Sequence, residues 1–326
     1  TTSRRTARSF GSKTFCLALE PYRAPSKAAA MATSELKPMP GAEEKGIWEA
    51  TAYDDSTHDE TYAFVLRGCK SKELKAKCEE CLERYQSGEL GPCVYVERMA
   101  VFEMPRGGGV LIYSAIPITE ELLAAVTEKG GVKVIVVPTS EHSKHHKGWM
   151  DAFPEAIVIC PGGDSMAPII AELGDAAKVI DANTPSKWHK DAVKALNGIS
   201  CEVLETAKFQ EILLLHRKSK TLCSCDSIYL GCGNKNDKSG WKNFPSPEWQ
   251  ELYFRAYCEK SPCYLPIYRT FLQPDEVKIA GKVMKKVLNW KPDRVMSARS
   301  GKTSEGGPKE AMEILEGHWK WCASAL

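Results

Sequence analysis

The stretch that most constrains the fold is Val132–Pro161, VKVIVVPTSEHSKHHKGWMDAFPEAIVICP. Val134 to Val137 is an unbroken β-branched run, the pattern of a strand in a sheet covered on both faces. Pro138 ends it, because proline cannot donate to the next ladder bond. Thr139 to Lys147 then places His142, His145 and His146 directly behind the strand, before Trp149, Phe153 and a second apolar run, Ala156 to Cys160. The C-terminal edge of strands is where open α/β sheets form their sites. Two readings of HSKHHKG stand side by side. It is a polar loop without chemistry, or it supplies neutral imidazoles to a divalent cation that a carboxylate from elsewhere completes. His142 and His146, four apart, would share a helix face, but Gly148 and the two lysines oppose a helix there.

Charge separates a tail from a body. Of 44 basic and 42 acidic residues in the chain, the first 30 residues hold six and one, so the rest carries 38 and 41. A body so balanced gives no electrostatic reason to bind phosphate backbones, and no nucleic-acid partner is expected. The Arg- and Ser-rich start has the composition of an organellar transit peptide, while MATSELKPMPG at Met31 reads as an internal start that would make the preceding residues translated upstream sequence. On either reading residues 1–45 are expected to form a disordered extension, and 46–326 a single domain. Apolar runs such as Ala156 to Cys160 fall far short of the roughly 20 residues of a membrane helix, so no membrane insertion is expected. The expected location is intracellular and cytoplasmic, or a plastid or mitochondrion if residues 1–30 are a transit peptide.

Thirteen cysteines without a secretory segment predict thiols in a reducing compartment. Cys78 and Cys81 form a CxxC, and Cys69 and Cys93 could complete four thiolates, but Leu74, Cys78, Leu82 and Tyr85 make a helical stripe on which cysteine acts as a small hydrophobe. A redox role for the pair is the weaker option. Cys223 and Cys225 alternate along a strand and are expected to pack.

The periodicity predicts a helix over Ser71 to Gln86, strands over Val94 to Met104 and Val110 to Ser114 joined as a hairpin across PRGGG, and a helix capped by Thr119 and closed by Gly130 and Gly131. Beyond the strand at Ile157 the pattern is less regular from Asp181 to Gly198, then gives a hairpin of Glu211 to His216 and Thr221 to Asp226. Gly231 to Pro247 reads as a long loop. A helix over Pro274 to Trp290, a short strand over Asp293 to Ala298 and a helix over Pro308 to Cys322 close the chain. The class is α/β with helices outside sheets. Gly301-Lys302-Thr303 is not a P-loop, since that signature needs glycine where Met296 stands and a helix starting at the Lys-Thr.

Four blocks, VLIYSAIPITEELL, VIVVPTSEHSKHHKGWMDAFPEAIVICPG, EILLLHRKSKTLCSCD and DRVMSARSGKTSEGGPKEAMEIL, are together similar to an uncharacterised branch of the metallo-β-lactamase fold superfamily, over about Val94 to Trp321. The resemblance implies a four-layer αββα sandwich with its site along one edge of the two sheets. It also implies one or two zinc or iron ions held by a His-x-His-x-Asp-His loop, a later histidine, an aspartate closing a strand and a last histidine on a glycine-rich turn. Here the loop keeps only Glu141, His142, His145 and His146 in another spacing. Asp226 takes the place of the bridging carboxylate. No histidine stands between Val203 and Lys208, and Arg299 occupies the region of the last one. His216 lies at the far end of its hairpin, and His189 and His318 are isolated.

The first expectation is therefore a metallo-β-lactamase-like protein without a dinuclear site, needing no cofactor and acting through binding or assembly. Its partner, a small molecule or a protein, is not specified by the sequence. Arg299 is either paired with Asp226 in the metal's place or a surface residue. The alternative is a hydrolase with one zinc or iron ion on His142, His146 and Asp226, aided by His145.

Overall fold

A computed structural model describes residues 35–54, 72–89, 95–105, 108–180, 190–206, 210–228, 230, 274–300 and 303–323. The first sheet has seven strands in sequence order: β1 (Lys37–Pro38), β2 (Ile47–Asp54), β3 (Tyr95–Glu103), β4 (Val110–Tyr113), β5 (Val132–Val136), β6 (Ile157–Pro161) and β7 (Ala177–Ile180). Its first half is antiparallel. From β4 to β7 the pairing is parallel, because helices α2 (Glu120–Glu128), α3 (His146–Ala152) and α4 (Ala167–Leu173) carry the chain back between strands. The second sheet is ordered β11 (Arg294–Ser297), β10 (Thr221–Ser224), β9 (Gln210–His216), β8 (Ile199–Glu205), with β10 and β11 parallel. The remaining described α-helices are α1 (Lys72–Gln86), α5 (Lys190–Ala195), α6 (Pro274–Asn289) and α7 (Gly307–Ala323).

Side-chain alternation sorts these elements into four layers. Along β9, Ile212 and Leu214 face one way and join Phe102, Leu111, Tyr113, Val134, Val136 and Ile159 of the first sheet in a buried cluster. Leu213 and Leu215 face the other way, onto Ala280, Met284 and Val287 of α6 and Leu315 and Trp319 of α7. The opposite face of the first sheet, with Val101, Ile112, Ile135 and Val158, packs on Leu122 and Val126 of α2, Trp149 of α3 and Leu173 of α4. Strands covered on both sides need no polar face, which is why β4 and β5 are nearly all apolar and β9 carries the unbroken run Ile212 to Leu215. The αββα sandwich expected from the resemblance is the architecture of the chain.

The sheets are stitched together where β4 and β5 end. Tyr113 Oη donates to the Ile212 carbonyl at 2.8 Å, and Ile212 N–H donates to the Pro138 carbonyl at 3.0 Å. The β3–β4 pairing stops at Ala100–Tyr113, and beyond it Arg98 N–H donates to the Ala298 carbonyl, 2.9 Å away behind β11.

Several expectations change. The proposed boundary at residue 45 falls inside ordered structure: Lys37 pairs with Glu49, and Met39 and Ala42 sit in the core between the sheets. Strands β2, β7 and β8 are not revealed by the apolar pattern, and the stretch 181–198 contains α5. His142 and His146 share no helix, because α3 starts only at His146. The last helix starts at Gly307, and Thr303 forms a bridge with Met296, while Gly301 and Lys302 lie outside the described residues. Residues 1–34, Cys69, Cys93, His189, Lys208 and 231–247 lie outside the described residues. Among the described residues no helix is long and apolar enough to cross a membrane.

Candidate functional site at the strand ends

Four strand ends deliver the site. Ser114 follows β4, the loop 137–145 follows β5, Asp226 follows β10 by two residues, and Arg299 follows β11 by two. Because β10 and β11 are parallel, Asp226 and Arg299 emerge at the same end of the second sheet. Arg299 Nε donates to Asp226 Oδ1 at 3.0 Å. Thr139 Oγ1 faces the other carboxylate oxygen at 3.4 Å. His142 Nε2 points at Asp226 Oδ1 from 3.8 Å, beyond hydrogen-bond reach, and is buried without a hydrogen-bond partner. The ring is held from behind: Nδ1 lies 2.9 Å from Ser114 Oγ, and the His142 N–H donates to Thr139 Oγ1 at 3.3 Å. Ser114 keeps this position with a φ of +59°, a left-handed backbone that a non-glycine residue adopts only under local constraint.

Two carboxylates on this end of the molecule are driven in opposite directions. Burial works to raise the Asp226 carboxyl, but Arg299 and His142 outweigh it and hold the group well below the usual carboxylate range. Glu211, fully buried on β9, is pushed up to about 7 by burial and by the nearby Asp226 charge. It nonetheless accepts four hydrogen bonds: from the N–H groups of Cys225 at 2.8 Å, Asp226 at 3.0 Å and Ser227 at 2.8 Å, and from Ser227 Oγ at 2.7 Å. Glu211 thus fixes the loop that presents Asp226.

A second group of charges adjoins the first through His142. Glu97 of β3 is buried, yet it is held below its ordinary range: burial opposes ionisation, while the His145 hydrogen bond and the charges of His142, His145 and Lys144 favour it. His145 Nε2 lies 3.2 Å from Glu97 Oε2, and Lys144 Nζ 3.8 Å from Glu97 Oε1.

The structure therefore brings His142, Asp226 and Arg299 together. It directs His145 to Glu97 instead, and turns His146 Nδ1 to the Ser143 carbonyl in its own turn. His216 pairs across the hairpin with Thr221, at the end remote from Asp226, and hydrogen-bonds Ser219 at 2.8 Å. Among the described residues no group of three or more His, Cys, Asp or Glu side chains stands close enough to hold a metal ion, and His146 is turned to Ser143 rather than to Asp226. The Arg299 guanidinium faces Asp226 Oδ1, an oxygen of the carboxylate that the resemblance assigns to metal bridging. Sequence reasoning missed Glu97, Ser114, Thr139 and Glu211. Adjacent Glu and Arg inside the otherwise apolar YVERMAVF was the available signal for Glu97.

A protein family described as a domain of unknown function, DUF4336, matches residues 85–230. Among solved structures, this chain is similar to a DIM-1 metallo-β-lactamase exposed to ceftazidime, with 12% identity, 90% of this chain and 100% of that chain covered, and a TM-score of 0.45. It is also similar to the FIM-1 metallo-β-lactamase from Pseudomonas aeruginosa in its mono-zinc form, with 9% identity, 90% and 96% coverage, and a TM-score of 0.43. A second DIM-1 structure gives 10% identity, 87% and 99% coverage, and a TM-score of 0.40. No curated protein matches the sequence.

Proposed function

We propose that this chain is a metallo-β-lactamase-like protein that works by binding at its strand-end site, without metal-assisted hydrolysis. The observation that carries the reading is the contact of Arg299 Nε with Asp226 Oδ1 at 3.0 Å. An arginine cannot be deprotonated in a protein, so it permanently neutralises the one carboxylate that the resemblance assigns to metal bridging. His142 remains as a single imidazole facing that pair, and the other loop histidines are engaged elsewhere. One imidazole and one already paired carboxylate fall short of the three protein ligands a catalytic zinc uses.

Metal analysis of the full chain, purified without chelator from zinc- and iron-supplemented cells, tests this. The expected content is well below about one ion per chain, unchanged in Arg299→Lys. A stoichiometric ion that disappears in His142→Ala or Asp226→Asn would instead establish the single-ion hydrolase.

A further inference from the structure

We propose that the strand-end site receives a hydroxyl group of a neutral polyhydroxylated ligand, a sugar or polyol, seated between His142 Nε2 and Asp226 Oδ1. This rests on the metal-independent reading above and gives it a ligand class. The starting point is an incomplete set of hydrogen bonds. His142 Nε2 is buried, has no partner, and looks across 3.8 Å at a carboxylate oxygen. A buried polar atom left in that state is unfavourable, and at His142, unlike at Arg98, a partly exposed carboxylate lies beside it through which a partner from outside the chain can complete it.

The chemistry of the missing atom follows from its two neighbours. Ser114 Oγ satisfies Nδ1, and the ionised Asp226 facing Nε2 favours the tautomer with the proton on Nε2. The incoming atom must therefore accept from Nε2–H and donate to Asp226. A carboxylate oxygen accepts but has no proton for Asp226. An ammonium donates but cannot accept from Nε2–H. A hydroxyl does both. A separation of 3.8 Å is one that a single bridging oxygen spans, as water does between polar groups too far apart to bond directly.

Charge and access agree with a neutral ligand. The carboxylates Asp226 and Glu97 face Arg299 and Lys144, so each already has an opposite charge beside it and neither needs an ion from outside. The side chains of Asp226, His145 and Lys144 are 29%, 29% and 25% exposed while that of His142 is 1% exposed, so the polar side chains form the rim of the site and the imidazole its floor.

The test uses full-length protein with 15N-labelled histidine, in which the His142 Nε2 resonance is identified by its absence in His142→Gln. Myo-inositol and D-glucose are the probes, with acetate and methylammonium as the charged comparisons. The expected result is a saturable shift of the His142 signal by at least one polyol at about 10 mM, where a site with a Kd of about 1 mM is nearly full. Asp226→Asn, which is isosteric, should weaken it about tenfold or more by removing the charged acceptor. No saturable shift with either polyol, meaning that an ordered water alone completes the site, overturns the proposal. A response to acetate or methylammonium in place of the polyols overturns the ligand class while leaving metal-independent binding intact. A stoichiometric shift of the same resonance on adding zinc chloride overturns the metal-independent reading itself.

Discussion

Two arginine–carboxylate pairs stand at the same end of the two sheets, and they do different work. Arg98 of β3 and Glu49 of β2 have side chains 1% and 5% exposed, whereas Arg299 and Asp226 are 12% and 29% exposed. The inner guanidinium bonds Glu49, the Ser300 carbonyl at 3.2 Å and Thr303 Oγ1 at 2.8 Å, and Thr303 Oγ1 in turn donates to Glu49 at 3.2 Å. Three of these contacts hold Ser300 or Thr303, next to Arg299 in the chain. The outer pair keeps one edge toward solvent and an unpartnered imidazole beside it. Charge pairing is therefore not the mark of the site. Lys37 reaches Glu49 at 3.8 Å and Arg98 Nε also lacks a partner, so it is burial that makes the inner pair a brace and exposure at one edge that opens the outer pair to a ligand.

The comparison breaks most easily at the brace. Arg98→Ala leaves buried Glu49 with only the exposed Lys37, 3.8 Å away, and removes the hold on Ser300 and Thr303, so it should cost about 3 kcal/mol in urea unfolding. A cost below about 1 kcal/mol would show the inner pair to be as hydrated as the outer one and remove the distinction.

The next largest effect lies in Glu211, which anchors the loop of the outer pair. Its folded pKa of about 7 exceeds its ordinary 4.5, so the stability it contributes is fully present below 4.5 and is lost as pH rises through 7, amounting to about 3 kcal/mol. His216, pushed down to about 4 from 6.5 by burial and by Lys218, has the opposite slope: its contribution is present above 6.5 and is lost as pH falls through 4. The two slopes oppose each other in the wild-type profile, and the informative quantity is the difference from Glu211→Gln. Relative to wild type, that variant should gain about 3 kcal/mol between pH 4.5 and 7.5 whatever its constant offset. Parallel profiles would mean that Glu211 titrates in its usual range and that its four hydrogen bonds outweigh burial.

The β-branched runs made β5 and β6 legible in the sequence, and the apolar period of Pro274–Asn289 made α6 legible, because each buries what its pattern says it buries. Strand β2 was not legible because Glu49 faces the inter-sheet core and interrupts the alternation that would have revealed it; Arg98, from another strand, makes that burial tolerable. The site was legible only in part, for a related reason. Asp226 and Arg299 follow from their places after strands, and His142 from its loop. Which of three neighbouring histidines points inward depends on where α3 begins, and the start at His146 sends His145 toward Glu97 on β3. Glu211 in EILLLH reads as ordinary strand, since its role exists only through a loop fifteen residues further on.

The smallest effect belongs to the outer pair, and it sharpens the contrast. Arg299→Ala leaves Asp226 with water at its open edge and with Thr139 and His142 still beside it, so the carboxylate is not stranded as Glu49 would be. The expected cost is about 1 kcal/mol, with Asp226→Ala similar and a coupling between them of no more than about 1 kcal/mol in a double-mutant cycle. Asp226 also has a pH signature of its own. Held below its ordinary 3.8, it contributes stability that is present above that value and is lost as pH falls further, so the Arg299→Ala penalty should shrink in acid and be constant above about pH 5. A coupling near 3 kcal/mol would make the outer pair a second brace. The gap at His142 would then be a packing flaw with no ligand to admit, because a wall held that firmly could not be part of an opening.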